Sequence, residues 1–224
     1  METLVISLGG SIIVPDSINT EFLIQFREII LTLIKTQKVA IITGGGAVAR
    51  NYGKAAKEIT TVSDIDVDEI GIRATKINAE LIRSIFSDIA YEKVVESYDV
   101  KEIKTDKKII IGSGWKPGCS SDLDAVLLAE ILGANTIVNL SNIEYVYDKD
   151  PKKFKDAKKY DKMTFKQLQG VVGERWVPGA NVPFDPIATK KASKLGMTIV
   201  VMSNNLDNFK DFCKGKDFKG TVIE

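Results

Sequence analysis

Apolar residues along this chain follow two rhythms. Largely apolar runs at residues 3–8, 39–43, 108–111, 136–140 and 197–202 read as strands buried on both faces, because a half-exposed strand would alternate apolar with polar throughout. Between them the apolar positions recur with helical period. Phe22, Leu23, Phe26, Ile29, Ile30, Leu33 and Ile34 share one helix face, and a second helix spans about 47–58. A third helical pattern covers 69–86, after a polar stretch at 60–68. The helix that begins on Ser121 and Asp122 carries Leu123, Val126, Leu127 and Ile131 on one face and stops at Gly133. The pattern also predicts a strand near 93–97, an irregular charged segment at 148–159, a helix near Thr164 and a Gly- and Pro-rich loop at 170–183. A helix closed by Leu195 and Gly196, a short helix and a final strand complete it. Strands separated by helices predict an α/β protein with a mainly parallel sheet covered on both faces.

Three of these strands empty into small residues and then a helix. The first runs into Gly9, Gly10 and Ser11, the second into Gly44, Gly45 and Gly46, and the run at 109–111 into GSGWKPGCSSD. Strand ends that present backbone amides and a fresh helix N-terminus to one crevice are how α/β proteins hold phosphate. Three such turns suggest a site spanning several phosphates.

At 224 residues the chain is long enough for one sizeable core or two lobes on one sheet, and its net charge of +1 gives no general attraction to nucleic acid or membranes. Partners are therefore expected to be small molecules or other protein chains. Cys119 and Cys213 are far apart and in neither CxxC nor CxxH spacing, which indicates reduced thiols rather than a disulfide framework or zinc site. The chain has no histidine, which removes Ser-His and Cys-His pairs and leaves Lys, Arg, Asp, Ser and backbone amides for chemistry. No signal-like segment or membrane-length apolar run is present, so the expected location is cytoplasmic.

Several shorter patterns read as coincidence. Residues 44–49 satisfy GxGxxA between a strand and a helix, but the region that follows lacks the strand and terminal acid of a dinucleotide-binding unit. GxxxxGK[ST] does not occur. Asp64, Asp66 and Asp68 imitate the start of a calcium loop without its Gly and bidentate Glu, and Asp64 and Asp66 read better as a solvated helix entry. The lysines between 149 and 159 are diluted by Asp148, Asp150 and Asp156, which favours a solvated loop or the rim of an anionic-ligand site.

Four ordered motifs carry a family resemblance: SLGGSI at 7–12, ITGGGAVAR at 42–50, PGCSSDLDA at 117–125 and SNIEYVYDKDP at 141–151, the last followed by KKYDKMT. Together they resemble the amino-acid kinase superfamily, and within it the short archaeal-type UMP kinases. The resemblance implies a three-layer αβα sandwich in one domain, with residues 1–135 or so as the acceptor lobe and 136–224 as the ATP lobe. It implies that Gly10, Ser11, Gly46 and Arg50 lie by the ATP phosphates and that Ser141, Asn142, Tyr147 and Asp150 line the adenine nucleotide pocket. UMP would be surrounded by Gly45, Asp68, Trp115, Lys116, Pro117, Gly118, Cys119, Ser120 and Ser121. Asp122 resembles the carboxylate that organises the reaction centre, with Arg50 a second catalytic candidate. Asp185 matches an aspartate that UMP kinases share where acetylglutamate and carbamate kinases carry lysine. An acid at a helix start is favoured in any case, which remains an alternative reading of Asp185.

Two positions depart from the family pattern. Ser7 stands where many members have the lysine of KxGG, and Glu144-Tyr145 replaces a common Asp-Gly. The expected chemistry is transfer of the ATP γ-phosphoryl group to UMP with Mg²⁺, giving UDP and ADP for pyrimidine nucleotide synthesis. A phosphate acceptor is already nucleophilic and needs no general base, which suits a chain without histidine. The resemblance also suggests a homohexamer; the helix carrying Phe22 to Ile34 has enough apolar surface for an interface, and core packing explains that surface equally well. A kinase for another small acceptor, or a nucleotide-binding protein without turnover, remains open at this point.

Overall fold

The computed structural model describes residues 1–175 and 182–224. Its central sheet has seven strands in the order β3-β2-β1-β4-β8-β9-β7. These are β1 (Thr3–Leu8), β2 (Lys38–Thr43), β3 (Ile109–Gly112), β4 (Thr136–Ser141), β7 (Lys162–Met163), β8 (Thr198–Ser203) and β9 (Thr221–Ile223). Only the β8–β9 pair is antiparallel. A separate two-stranded hairpin, β5 (Val146–Tyr147) with β6 (Lys159–Tyr160), bounds the charged segment.

The largely apolar runs have the expected cause. In β1, Leu4, Ile6 and Leu8 point into one core and Val5 into the other; in β8, Val200 and Met202 face the first core while Ile199 and Val201 face the second. The first core is closed by α1 (Gly10–Ile13), α2 (Thr20–Leu33), α4 (Asp64–Ile85) and α8 (Leu206–Cys213). Phe22, Phe26 and Phe209 stack in sequence there, with ring centroids 5.7 and 6.3 Å apart. The second core is closed by α5 (Ser121–Leu132), α6 (Phe165–Val172) and α7 (Pro186–Lys194). The result is the predicted three-layer sandwich. Helix α3 (Gly46–Ile59) packs along α4 and buries little besides Ala47 and Gly53.

Three sequence expectations need correction. Helix α4 begins at Asp64 rather than near residue 69, because Ser63 caps it reciprocally with Asp66 and converts the supposed polar lead-in to helix. The strand expected near 93–97 is absent; only single bridges from Ala90 and Val95 meet β3, since the apolar pair Val94–Val95, flanked by Lys93 and Glu96, is too short to extend the ladder. The short strands β5, β6 and β7 are too polar and too brief for their pattern to register. The apolar face of α2 is buried in the first core, the core-packing alternative of the sequence reading; exposed apolar side chains include Ile24 on its far side and Tyr52, Ile59, Ile65 and Ile77 on α3 and α4. Most of the Gly- and Pro-rich loop predicted at 170–183 lies outside the described residues.

Candidate active site

Four parallel strands, β2, β1, β4 and β8, run side by side, so their C-terminal ends open onto one edge of the sheet. At that edge the first two glycine turns touch. A Cβ on Gly10 would lie 2.1 Å from the Gly46 nitrogen, and Gly46 itself has φ +63°, a conformation that side chains disfavour. The amides of Gly10, Ser11, Gly45 and Gly46 find no acceptor among the described residues. They are free donors aimed away from the strands. Arg50, on α3, closes the same turn by donating to the Ser11 hydroxyl at 2.7 Å and the Pro15 carbonyl at 3.0 Å.

Asp122 sits beside them in the first turn of α5, where Ser120 serves as N-cap by accepting from the Leu123 N–H. One Asp122 oxygen accepts from the Ser7 hydroxyl at 3.2 Å, and the other accepts from the Asp185 N–H at 3.1 Å. This carboxyl therefore joins β1 to the start of α7. Burial raises its pKa to about 7, and the nearby Asp185 carboxyl pushes in the same direction. Asp185 is the N-cap of α7 through a 2.6 Å bond to the Ala188 N–H, while its second oxygen is buried without a partner. The two oxygens of this side chain thus have different surroundings, one capping a helix and the other without a partner among the described residues.

The loop of residues 113–120 folds over α4. Asp68 accepts from the Gly118 N–H at 2.7 Å, tying Trp115, Lys116, Pro117, Gly118 and Cys119 to that helix; burial raises the Asp68 pKa against this bond. The Lys116 ammonium lies 3.9 Å from the Trp115 ring centroid, and Trp115 packs edge-on against Tyr98. Cys119 is half-buried, its thiol pushed up first by burial and then by Asp124. Along the sheet, Ser141 ends β4 and Asn142 follows it, while Tyr147 lies in the hairpin and Asp150 in the turn beyond, accepting from the Lys152 N–H at 2.9 Å. Asp64 and Asp66 are exposed at the helix entry, away from any ligand role.

Asp68, Asp122, Asp124 and Asp185 form no ion pair among the described residues, whose salt bridges all lie elsewhere. Sequence reading missed Asp124, which is fully buried with neither oxygen hydrogen-bonded. It also missed Thr75, Asn78 and Tyr98, buried polar side chains beneath the two acceptor turns. An Asn and a Thr on the buried side of α4 were visible in the sequence, but their partners were not.

Amide-lined turns converging on unpaired carboxyls at the ends of a parallel sheet are the build of an α/β phosphotransferase. A sequence profile of the Amino acid kinase family matches residues 2–203. The chain is 36% identical over 224 residues to a uridylate kinase of Thermococcus kodakarensis, covering 99% of each protein. It is 33% identical over 227 residues to a uridylate kinase of Thermoplasma volcanium, covering 100% of this chain and 98% of that protein. A crystal structure of the uridylate kinase from Archaeoglobus fulgidus superposes with a TM-score of 0.84 at 31% identity, covering all of both chains. The chain belongs to the amino acid kinase family.

Burial of Asp124 makes stability depend on pH. Its pKa rises from 3.8 to about 8, chiefly through burial. The folded state therefore keeps a proton that the unfolded state releases, so this contribution is complete below about pH 4 and fades as pH climbs through about 8. Asp124→Asn removes it. The melting temperature of Asp124→Asn relative to the parent protein should accordingly be higher at pH 8.5 than at pH 5 by at least about 2–4 °C, roughly 1 kcal/mol in a chain of this size. Equal differences at both pH values in differential scanning calorimetry would show that the carboxyl does not carry this burden.

Proposed function

We propose that this chain is a uridylate kinase that transfers the ATP γ-phosphoryl group to UMP. The observation that carries the reading is the Gly10 and Gly44–Gly46 contact, which places free amides from two turns on either side of one point at the sheet edge. The full-length likeness to archaeal uridylate kinases supports the choice of acceptor. Two lobes follow from this reading: residues up to about 135 hold UMP, and the remainder holds ATP.

In the proposed step an oxygen of the UMP phosphate attacks the γ-phosphorus, a new P–O bond forms, and the bond to the β,γ-bridging oxygen breaks. UDP and ADP result. No general base is needed, so positioning and charge stabilisation do the work. Gly10, Ser11 and Gly46 amides, with Arg50 bracing their turn, hold the ATP phosphates; Ser141, Asn142, Tyr147 and Asp150 hold the nucleoside end. Gly45, Asp68 and the loop Trp115–Lys116–Pro117–Gly118–Cys119–Ser120–Ser121 enclose UMP. Asp122 fixes the meeting point of the halves.

Magnesium fits this centre. The unpartnered Asp185 oxygen is a hard donor in a cluster of unpaired carboxyls, and no group of three or more His, Cys, Asp or Glu side chains among the described residues could hold a metal alone. Mg²⁺ commonly takes one or two carboxylates and completes its shell with substrate phosphates and water. Asp185 would hold it with ATP, and the ion would supply charge neutralisation. The exposed apolar residues Tyr52, Ile59, Ile65 and Ile77 offer a surface for self-association, in keeping with a homo-oligomer and the hexamer implied by resemblance.

The defining experiment follows ADP release with UMP, CMP, acetylglutamate and carbamate as acceptors. Turnover with UMP well above the others is expected; turnover with none, despite ATP binding, would favour a nucleotide-binding protein.

Two variants test the reaction centre. Asp122→Asn should remain folded but lose at least about tenfold in turnover, about 1.4 kcal/mol of transition-state stabilisation. Undiminished turnover would remove Asp122 from the reaction. Ser7 is buried against Asp122, which lacks a cationic partner among the described residues. Ser7→Lys should pair with that carboxyl and tighten ATP binding in calorimetry, because it adds positive charge where phosphates gather; unchanged ATP affinity would place Ser7 outside the phosphate site.

A further inference from the structure

The two acceptor turns have no regular hydrogen-bonded structure of their own, yet their peptide planes are fixed from below by side chains. The Asn78 amide donates to the Gly44 carbonyl at 2.8 Å and the Gly45 carbonyl at 3.2 Å. A trans peptide points its N–H opposite to its C=O. With both carbonyls turned down onto Asn78, the N–H groups of Gly45 and Gly46 must point outward, toward the place where phosphate is expected. The second turn is held similarly. Tyr98 donates its hydroxyl proton to the Ser113 carbonyl at 2.6 Å, while the Gly114 N–H donates to the Thr75 hydroxyl at 2.8 Å. These two bonds grip opposite ends of one peptide unit.

Thr75 also ties the turns together. Its hydroxyl donates to the Ile72 carbonyl at 2.7 Å, and its own carbonyl accepts from the hydroxyl of Thr43, the last residue of β2, at 2.9 Å. A Cβ on Gly114 would lie 2.8 Å from the Thr75 oxygen, so helix and loop approach as closely as a glycine permits. Asp68, Thr75 and Asn78 recur at spacings of seven and three residues along α4, which puts them on one helix face. That face meets Gly118, Gly114 and Gly44–Gly45 in turn.

We propose that Asn78 and Thr75 are positioning residues that set the amide directions of the two acceptor turns: Asn78 aims the Gly45 and Gly46 N–H groups at phosphate, and Thr75 fixes the base of the Trp115–Ser121 loop over the acceptor. The proposal rests on the uridylate kinase reading for the identity of the ligand, but the peptide orientations do not depend on it.

The test compares Asn78→Ala, Thr75→Val and the conservative Thr75→Ser with the parent protein by hydrogen exchange without ligand and by steady-state UDP formation. Asn78→Ala should selectively accelerate exchange at Gly44 and Ala47, whose amides are bonded to the Leu8 and Val14 carbonyls on either side of the turn, and lower kcat/KM for UMP at least about tenfold. Thr75→Val should accelerate exchange at 112–118 and raise KM for UMP about tenfold, with KM for ATP changed less than about twofold. Thr75→Ser should restore both. Exchange that is unchanged, or that rises uniformly across the sheet, would overturn the proposal, as would a Thr75→Ser protein no better than Thr75→Val. If Asn78→Ala does not fold, Asn78→Ser is read by the same criteria. Absence of UDP formation by the parent protein would reject the uridylate kinase reading, and the exchange comparison would then decide the positioning roles alone.

Discussion

The close approach of the Gly10 backbone to Gly44 and Gly46 governs the geometry of this molecule's working edge. Adjacent parallel strands bring the ends of β1 and β2 together, and any side chain at Gly10 would collide with the backbone of the neighbouring turn. The contact leaves amides from two turns facing one space. It also fixes where α1 and α3 begin, since both helices start from these glycines. The phosphate site proposed above is built on that contact.

A second constraint is electrostatic. Asp122, Asp124 and Asp185 are carboxyls held near one another with raised pKa values and no ion pair among the described residues. Burial is the main cause at each. Unpaired buried charge is costly, so such a cluster is held as neutral acid or offset by a cation. Asp122 is held by Ser7 and the Asp185 N–H, and Asp185 keeps one oxygen without a partner among the described residues. Asp124 lies beneath the acceptor loop, where burial is complete and neutrality is the physical answer.

The apolar runs and helical periods were sufficient to place most strands and helices, because strands buried on both faces and helices buried on one leave unambiguous patterns. Polar segments were less legible. The entry to α4 looked like a loop until the Ser63–Asp66 capping box made it helix, and the Val94–Val95 pair looked like part of a strand but makes a single bridge, through Val95. Capping and edge pairing depend on individual hydrogen bonds rather than periodicity, which is why they escaped.

By itself the sequence determined the layered α/β fold and the glycine turns, because each is written in local spacing, and its ordered motifs, through their resemblance to a known family, pointed to Asp122 and Asp185. Tertiary structure alone decided that Ser7 meets Asp122 across 115 residues, that Asp185 divides its two oxygens between helix cap and cluster, and that Asn78 and Thr75 grip the turns. These are contacts between elements distant in the chain. Their partners are chosen by sheet order and helix docking, and no local pattern of residues encodes which oxygen will face which amide.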